Sequence, residues 1–182
     1  MAWPHKLYVA TRTLGVYYTD NFSGPDTQPT WTAVNGGLPA TDVRQFALDP
    51  FDPAGKQYLL LETARTLYRR DNGGNWAAIL TSAEAMALTV QATSGTIRWF
   101  CVDEFVPGRL WVSYQGAWSD PPRNNRTVYA MYSDDYGATW TAATLVTQSG
   151  VSERNAHHIA AYGDTVFIAW NSGSGYNCSY SV

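Results

Sequence analysis

Charge is scarce in this sequence. Lys, Arg, Asp and Glu make up 15% of its 182 residues, and the net charge is −3. There is no Lys/Arg-rich run, so the electrostatic footprint of a nucleic-acid binder is missing and no nucleic-acid partner is expected. No apolar run is long enough to cross a membrane. The start, Met1-Ala2-Trp3-Pro4-His5-Lys6, lacks the pattern of a secretory signal. Cysteine is limited to Cys101 and Cys178. The pair could bridge in an oxidising compartment, but two unpaired strand cysteines is the simpler reading. No Cys/His spacing matches a zinc site, and neither a metal nor another cofactor is expected.

Aromatic residues, by contrast, are abundant. Eight Trp and twelve Tyr suit a β-rich chain, in which large rings pack well on pleated surfaces. Alternating or β-branched runs bounded by Gly, Pro, Asn and Asp mark the strands. They are expected at 7–11, 15–18, 31–34, 43–48, 58–62, 66–69, 76–80, 97–102, 109–114, 127–132, 140–146, 158–162, 165–170 and 176–180. Asp49-Pro50-Phe51-Asp52-Pro53-Ala54-Gly55 is a strong turn, because proline fixes φ and aspartates cap turn amides. Only 81–86 reads as helical, and Ser82-x-x-Ala85 gives it no capping box. A long polar loop is expected at 115–125.

The stretch that organises the chain is Tyr132-Ser133-Asp134-Asp135-Tyr136-Gly137-Ala138-Thr139-Trp140, a Ser-x-Asp-x-Gly-x-Thr-Trp pattern. Asp135 can accept hydrogen bonds from the amides of the tight turn after it. Gly137 supplies a positive φ at no steric cost, and Trp140 covers the turn with a large apolar face. A second copy, Tyr68 to Trp76, keeps Asp71, Gly73 and Trp76 but has Arg69 and Asn75 at the Ser and Thr positions. A third is stretched, with Asp20 near its start, Trp31 at its end and a loop over 22–29 inserted. A fourth begins at Tyr180-Ser181-Val182. The box aspartates are 51 residues apart (71 − 20) and then 64 (135 − 71), which suits four-stranded units with loop insertions.

The repeated pattern resembles the Asp-box (BNR repeat) of sialidase-like β-propellers. Ala47-Leu48-Asp49-Pro50-Phe51-Asp52-Pro53 with Tyr58-Leu59-Leu60, and Trp31 to Pro39, are similar to xyloglucan-hydrolysing glycosidases and sortilin-type propellers, whereas His158 to Trp170 looks more like sialidase blades. The resemblance implies an all-β propeller of four-stranded antiparallel blades. The chain is then one segment, 1–182, with blades at about 1–40, 41–90, 91–150 and 151–182, the last incomplete. Its strands number three, four, four and three, so further polypeptide or a second copy is expected to complete the ring. The box residues Asp20, Trp31, Asp71, Gly73, Trp76, Ser133, Asp135, Gly137, Thr139 and Trp140 are assigned to turn structure.

No catalytic residue is assigned. A sialidase would need clustered arginines, an activated tyrosine and an acid, and its Arg-Ile-Pro entry motif is absent; Ile97-Arg98-Trp99 does not match it. A paired-carboxylate glycosidase would draw on Asp42, Glu62, Asp103, Glu104, Glu153 and Asp164; Asp103, Glu104 and Asp164 read as turn residues. His157 and His158 are adjacent on a strand and point to opposite faces, which argues against a shared metal. Trp118, Arg123, Asn124 and Asn125 form a candidate sugar platform, and the 22–29 loop a second contact surface. The leading expectation is a non-catalytic binding or structural module for a glycan or protein partner, with self-association or further blades completing it, at a cell surface, in a secreted assembly or on a virion. The alternative is a fragment of a sialidase-like or xyloglucan-type glycoside hydrolase.

Overall fold

A computed structural model describes residues 6–22, 28–53, 55–89, 92–118, 126–146, 153–163, 165–172 and 175–181. Among the described residues the chain is all-β apart from one short helix, and its strands form four antiparallel sheets in chain order. Sheet 1 joins β1 (Leu7–Thr11), β2 (Gly15–Thr19) and β3 (Thr32–Ala33). Sheet 2 has four strands: β4 (Val43–Leu48), β5 (Lys56–Leu61), β6 (Leu67–Asp71) and β7 (Trp76–Leu80). Helix α1 (Ser82–Ala87) leads into sheet 3, made of β8 (Ala92–Val102), β9 (Leu110–Trp118), β10 (Arg126–Ser133) and β11 (Thr144–Leu145). Sheet 4 holds β12 (Glu153–Tyr162), β13 (Thr165–Ser172) and β14 (Gly175–Ser181). The expected strand count of three, four, four and three is the one observed.

Both faces of the middle sheets are apolar, because they are covered on both sides. In β5, Leu59 and Leu61 turn to sheet 1 and join Val16, Val34, Tyr68 and Trp76. The alternate residues Tyr58 and Leu60 turn to sheet 3 and meet Leu110, Val112 and Met131. A third layer packs Val128 and Ala130 of sheet 3 on Ile159, Val166, Ile168 and Trp170 of sheet 4. The sheets therefore stack face to face in chain order, each burial worth roughly 1.5–3 kcal/mol per large apolar side chain.

Three expectations need correction. The helix does carry a capping box, one residue earlier than the frame Ser82-x-x-Ala85: the Thr81 hydroxyl accepts from Glu84 N–H at 3.1 Å, and the Glu84 carboxylate accepts from Thr81 N–H at 2.8 Å. Residues 115–118 are strand rather than loop, since β8 begins at Ala92 and pairs with them. Gly95 makes this pairing possible: a Cβ there would stand 2.5 Å from the Tyr114 hydroxyl. Finally, the strand expected at 140–146 shrinks to Thr144–Leu145. Thr141 hydrogen-bonds Tyr132 through both its main chain and its hydroxyl, and Ala143 N–H turns away to the Leu88 carbonyl at the end of the helix.

Candidate functional site

The box at 133–140 is a closed hydrogen-bond unit. Ser133 Oγ donates to Asp135 Oδ1 at 2.7 Å and accepts from Gly137 N–H at 2.8 Å. Asp135 accepts from Thr139 N–H at 2.8 Å and Thr139 Oγ1 at 2.6 Å. Tyr136 and Gly137 take φ of 60° and 87°, as Asn72 and Gly73 do in the second copy with 48° and 76°. The hydrogen bonds from Thr139 and Ser133 depress the Asp135 carboxyl to about 2. All three of these hydrogen bonds come from its own turn, so its role is structural.

In sheet 1 the acceptor is Asn21 rather than Asp20. Thr19 Oγ1 donates to Asn21 Oδ1 at 2.6 Å, and Thr30 N–H donates to the same oxygen at 3.0 Å. Thr19, Asn21, Thr30 and Trp31 thus stand where Ser133, Asp135, Thr139 and Trp140 do, and Asp20 takes the place of Asp134. In the second copy Asp71 accepts from Arg69 Nε at 3.0 Å.

The box tryptophans reach across to the preceding sheet. Trp76 Nε1 donates to the Val34 carbonyl at 2.6 Å, and Trp140 Nε1 to the Ile79 carbonyl at 3.0 Å. Val34 lies three residues after Trp31, and Ile79 three after Trp76, so this is one contact made twice.

Boxes and first turns share one end of the stack. Asn72 N–H donates to the Gly55 carbonyl and Tyr136 N–H to the Gly108 carbonyl, each at under 3 Å. The buried Asp49 and Asp103 cap these first turns: Asp49 accepts from the amides of Phe51 and Asp52, and Asp103 from those of Phe105 and Val106. The turn reading of Asp103 holds.

The opposite end carries a different constellation, centred on Glu62 in the β5–β6 connection. Arg44 Nη1 lies 2.8 Å from Glu62 Oε2, Arg65 Nη2 lies 2.5 Å from Oε1, and Arg12 Nη2 lies 3.7 Å from Oε2. These arginines come from β4, the β5–β6 turn and the β1–β2 turn. Arg44 also donates to the Arg98 carbonyl at 2.9 Å and lies 5.3 Å from the Trp99 ring, which in turn packs on His158 at 4.6 Å. Arg98 is held by Gln115 Oε1. Two paired hydrogen bonds between Gln45 and the Phe100 main chain tie β4 to β8 and set this spacing.

Among the described residues, Arg12, Arg44 and Arg65 with the adjacent Arg98, set against the carboxylates of Glu62 and Asp42, give a local charge of +2 (4 − 2) in a chain of net charge −3. Burial pulls Glu62 upward, but the hydrogen bond and charge of Arg44, with Arg65 and Arg12, hold it below its ordinary value. Asp42 is likewise net lowered, because its hydrogen bonds from Thr63 outweigh burial. Burial and the neighbouring Arg44 charge depress Arg65, whose φ is 49°. Ser82 fixes that turn, donating to the Arg65 carbonyl at 2.8 Å and accepting from Ile97 N–H at 3.2 Å. Arg65 Nη1, Asp42 Oδ1 and Gln115 Nε2 are buried and find no hydrogen-bond partner among the described residues. Polar atoms left this way are costly, and a polar ligand is one way to satisfy them.

Of the sequence candidates, the structure brings Glu62 and Asp42 into this cluster and leaves Asp103 in its turn. Trp118 closes β9, three residues beyond Gln115. Arg123, Asn124, Asn125 and Asp164 lie outside the described residues, as do 23–27 of the inserted loop. Cys101 is a free thiol, pushed up to about 12 by burial. Among the described residues there is no group of three or more His, Cys, Asp or Glu that could hold a metal, and no helix long and apolar enough to cross a membrane. The arginine cluster was missed in the sequence; the one local signal is Glu62-Thr63-Ala64-Arg65, a turn that folds an ion pair back on itself. No protein-family model matches the chain, and neither does any curated protein.

Proposed function

We propose that the chain is a non-catalytic segment of an Asp-box β-propeller that binds an anionic glycan, one carrying a carboxylate or sulfate, at the arginine cluster. The observation that carries this reading is the convergence of Arg12, Arg44 and Arg65 on one carboxylate, with Arg98 and Trp99 beside them. Guanidinium groups recognise planar anions through paired hydrogen bonds, and an adjacent indole face suits a sugar ring. The stacked four-stranded sheets and the repeated boxes support the propeller architecture.

The same geometry speaks against hydrolysis. A glycosidase acid must hold its proton near neutral pH, which requires a raised pKa. Both carboxylates here are held low instead. Tyr114, the fully buried tyrosine of β9, is pushed up to about 12 by burial and is no activated nucleophile.

Calorimetric titration with sialylated, uronate-bearing and neutral oligosaccharides tests the proposal. The acidic sugars should bind and the neutral ones should not. Arg12→Ala should weaken binding roughly tenfold, since one charge-assisted contact is worth about 1.5 kcal/mol. Arg12 is largely exposed, so its loss leaves the fold intact. Equal affinity for neutral and acidic sugars would defeat the reading.

A further inference from the structure

Sheets 2 and 3 repeat one buried arrangement with one exchange of side chain. Asp49 follows β4, and its N–H returns to the Lys56 carbonyl of β5; Asp103 follows β8, and its N–H returns to the Arg109 carbonyl before β9. Both aspartates are fully buried, and each gives Oδ1 to two amides of its own turn. Two residues after the returning carbonyl come Tyr58 in one sheet and Trp111 in the other. They oppose Ala47 and Cys101, each two residues before its aspartate. Both rings turn to the following sheet, Tyr58 into the layer between sheets 2 and 3 and Trp111 into the layer between sheets 3 and 4. The Tyr58 hydroxyl donates to Asp49 Oδ2 at 3.3 Å. In sheet 3 the corresponding acceptor and donor, Asp103 Oδ2 and Trp111 Nε1, are both buried, and neither has a hydrogen-bond partner among the described residues.

The exchange of phenol for indole accounts for this. A phenol carries its hydroxyl at the far tip of the ring. An indole carries its N–H on the flank of the ring, nearer its own main chain. Trp111 therefore offers a donor that stops short of the carboxylate which Tyr58 reaches. Cys101 adds a third polar group. It is the Cα partner of Trp111, lies in the same layer, and its thiol is pushed up to about 12 by burial and then by the charge of Asp103. Val128, Ala130, Ile159 and Val166 make the rest of that layer apolar. Buried donors and acceptors are costly to leave unmatched, so the pair calls for an intermediary. An anion would be repelled by Asp103. A cation would meet an N–H at Trp111 where it needs a lone pair. The chemistry selects a neutral molecule that accepts on one side and donates on the other.

We infer that one internal water sits in the layer between sheets 3 and 4, accepting from Trp111 Nε1–H and donating to Asp103 Oδ2, with Cys101 Sγ as its third polar neighbour. It does for sheet 3 what the Tyr58 hydroxyl does for sheet 2. The inference rests on neither glycan binding nor closure of a propeller.

Water-selective cross-relaxation on nitrogen-15-labelled protein tests it in solution. The Trp111 indole proton should show a contact with a long-lived water. The Trp76 indole, equally buried but bonded to the Val34 carbonyl, should show none. Cys101→Ala should keep the Trp111 signal, which excludes relay through the thiol proton. A crystal structure should place one ordered water about 3 Å from both Trp111 Nε1 and Asp103 Oδ2. In Trp111→Tyr the hydroxyl should bond Asp103 directly and the water should leave. That variant should melt about 2–4 °C above Trp111→Phe, whose ring has no donor. A Trp111 indole without a long-lived water contact would overturn the inference, and this wild-type spectrum decides even where a variant does not fold. So would a water retained between Tyr and Asp103 in Trp111→Tyr, or equal melting of the two ring variants.

Discussion

Asp135 accepts hydrogen bonds from one amide and one hydroxyl of Thr139 and from Ser133 Oγ, and these depress its carboxyl to about 2. A folded-state value below the ordinary 3.8 means that the carboxylate stabilises the fold above pH 4. That contribution is lost as pH falls from about 4 through about 2. Asp135→Asn should therefore lower stability at neutral pH and flatten the acid side of the stability profile over that window. Urea unfolding at half-unit steps from pH 2 to 5 would show it; parallel profiles for the two proteins would refute the role given to this carboxylate. The neighbouring prediction separates sequence frame from structural frame. Asn21 holds the amide of Thr30, whereas Asp20 makes no hydrogen bond of this kind among the described residues. Asn21→Ala should cost about 1 kcal/mol, like the loss of a capping side chain. Asp20→Ala should stay within roughly 0.5 kcal/mol of wild type, as for an exposed surface position. Reversed magnitudes in a denaturation series would return the box to Asp20.

The elements were legible where their chemistry is local. Ser133, Asp135, Gly137 and Thr139 satisfy one another within seven residues, so a linear motif contains the whole argument for the turn. The stretched copy misled by one residue because the insertion separates Asn21 from Thr30, and only their hydrogen bond reveals the frame. The helix cap was hidden for a similar reason: Thr81-x-x-Glu84 begins on the last residue before the helix, not on its first. The tryptophans had a second role that no periodicity discloses. Each joins its sheet to the one before through its indole N–H. This predicts unequal costs for the same substitution. Trp76→Phe keeps most of the ring's bulk but leaves the buried carbonyl of Val34 without the indole donor, at a cost of about 1–3 kcal/mol. Trp31→Phe has no such intrachain bond to lose among the described residues and should cost under about 1 kcal/mol in the isolated chain. Unfolding midpoints measured side by side at low protein concentration, where self-association is minimal, decide the matter; equal losses would mean that the indole bond contributes nothing.

Over the whole molecule, the arginine cluster is the feature the sequence concealed most completely. Its members are residues 12, 44, 65 and 98, drawn from three sheets: Arg65 and Arg44 meet Glu62 within their own sheet, whereas face-to-face stacking brings Arg12 to Glu62 and sets Arg98 beside Arg44. Composition points the other way, because the chain as a whole is acidic. An excess of positive charge among the described residues at one end of an acidic protein has an energetic consequence of its own. Glu62 is the counter-ion of three guanidinium groups, and neutralising it raises the local charge from +2 to +3 with Asp42 still ionised. Glu62→Gln leaves Arg44 and Arg65 without their carboxylate while both remain partly buried, so stability should fall by about 1–3 kcal/mol at low salt. A bound anion stabilises the folded state in proportion to its occupancy, so it should recover part of that loss in the variant. Sulfate also stabilises proteins generally by exclusion from their surfaces, so its effect must be compared across variants. The expected order of sulfate-induced rise in melting temperature, relative to chloride at equal ionic strength, is Glu62→Gln above wild type and wild type above Arg12→Ala. The same rise in all three would mean that sulfate acts on the surface at large and that Arg12, Arg44 and Arg65 hold Glu62 for the sake of the fold alone.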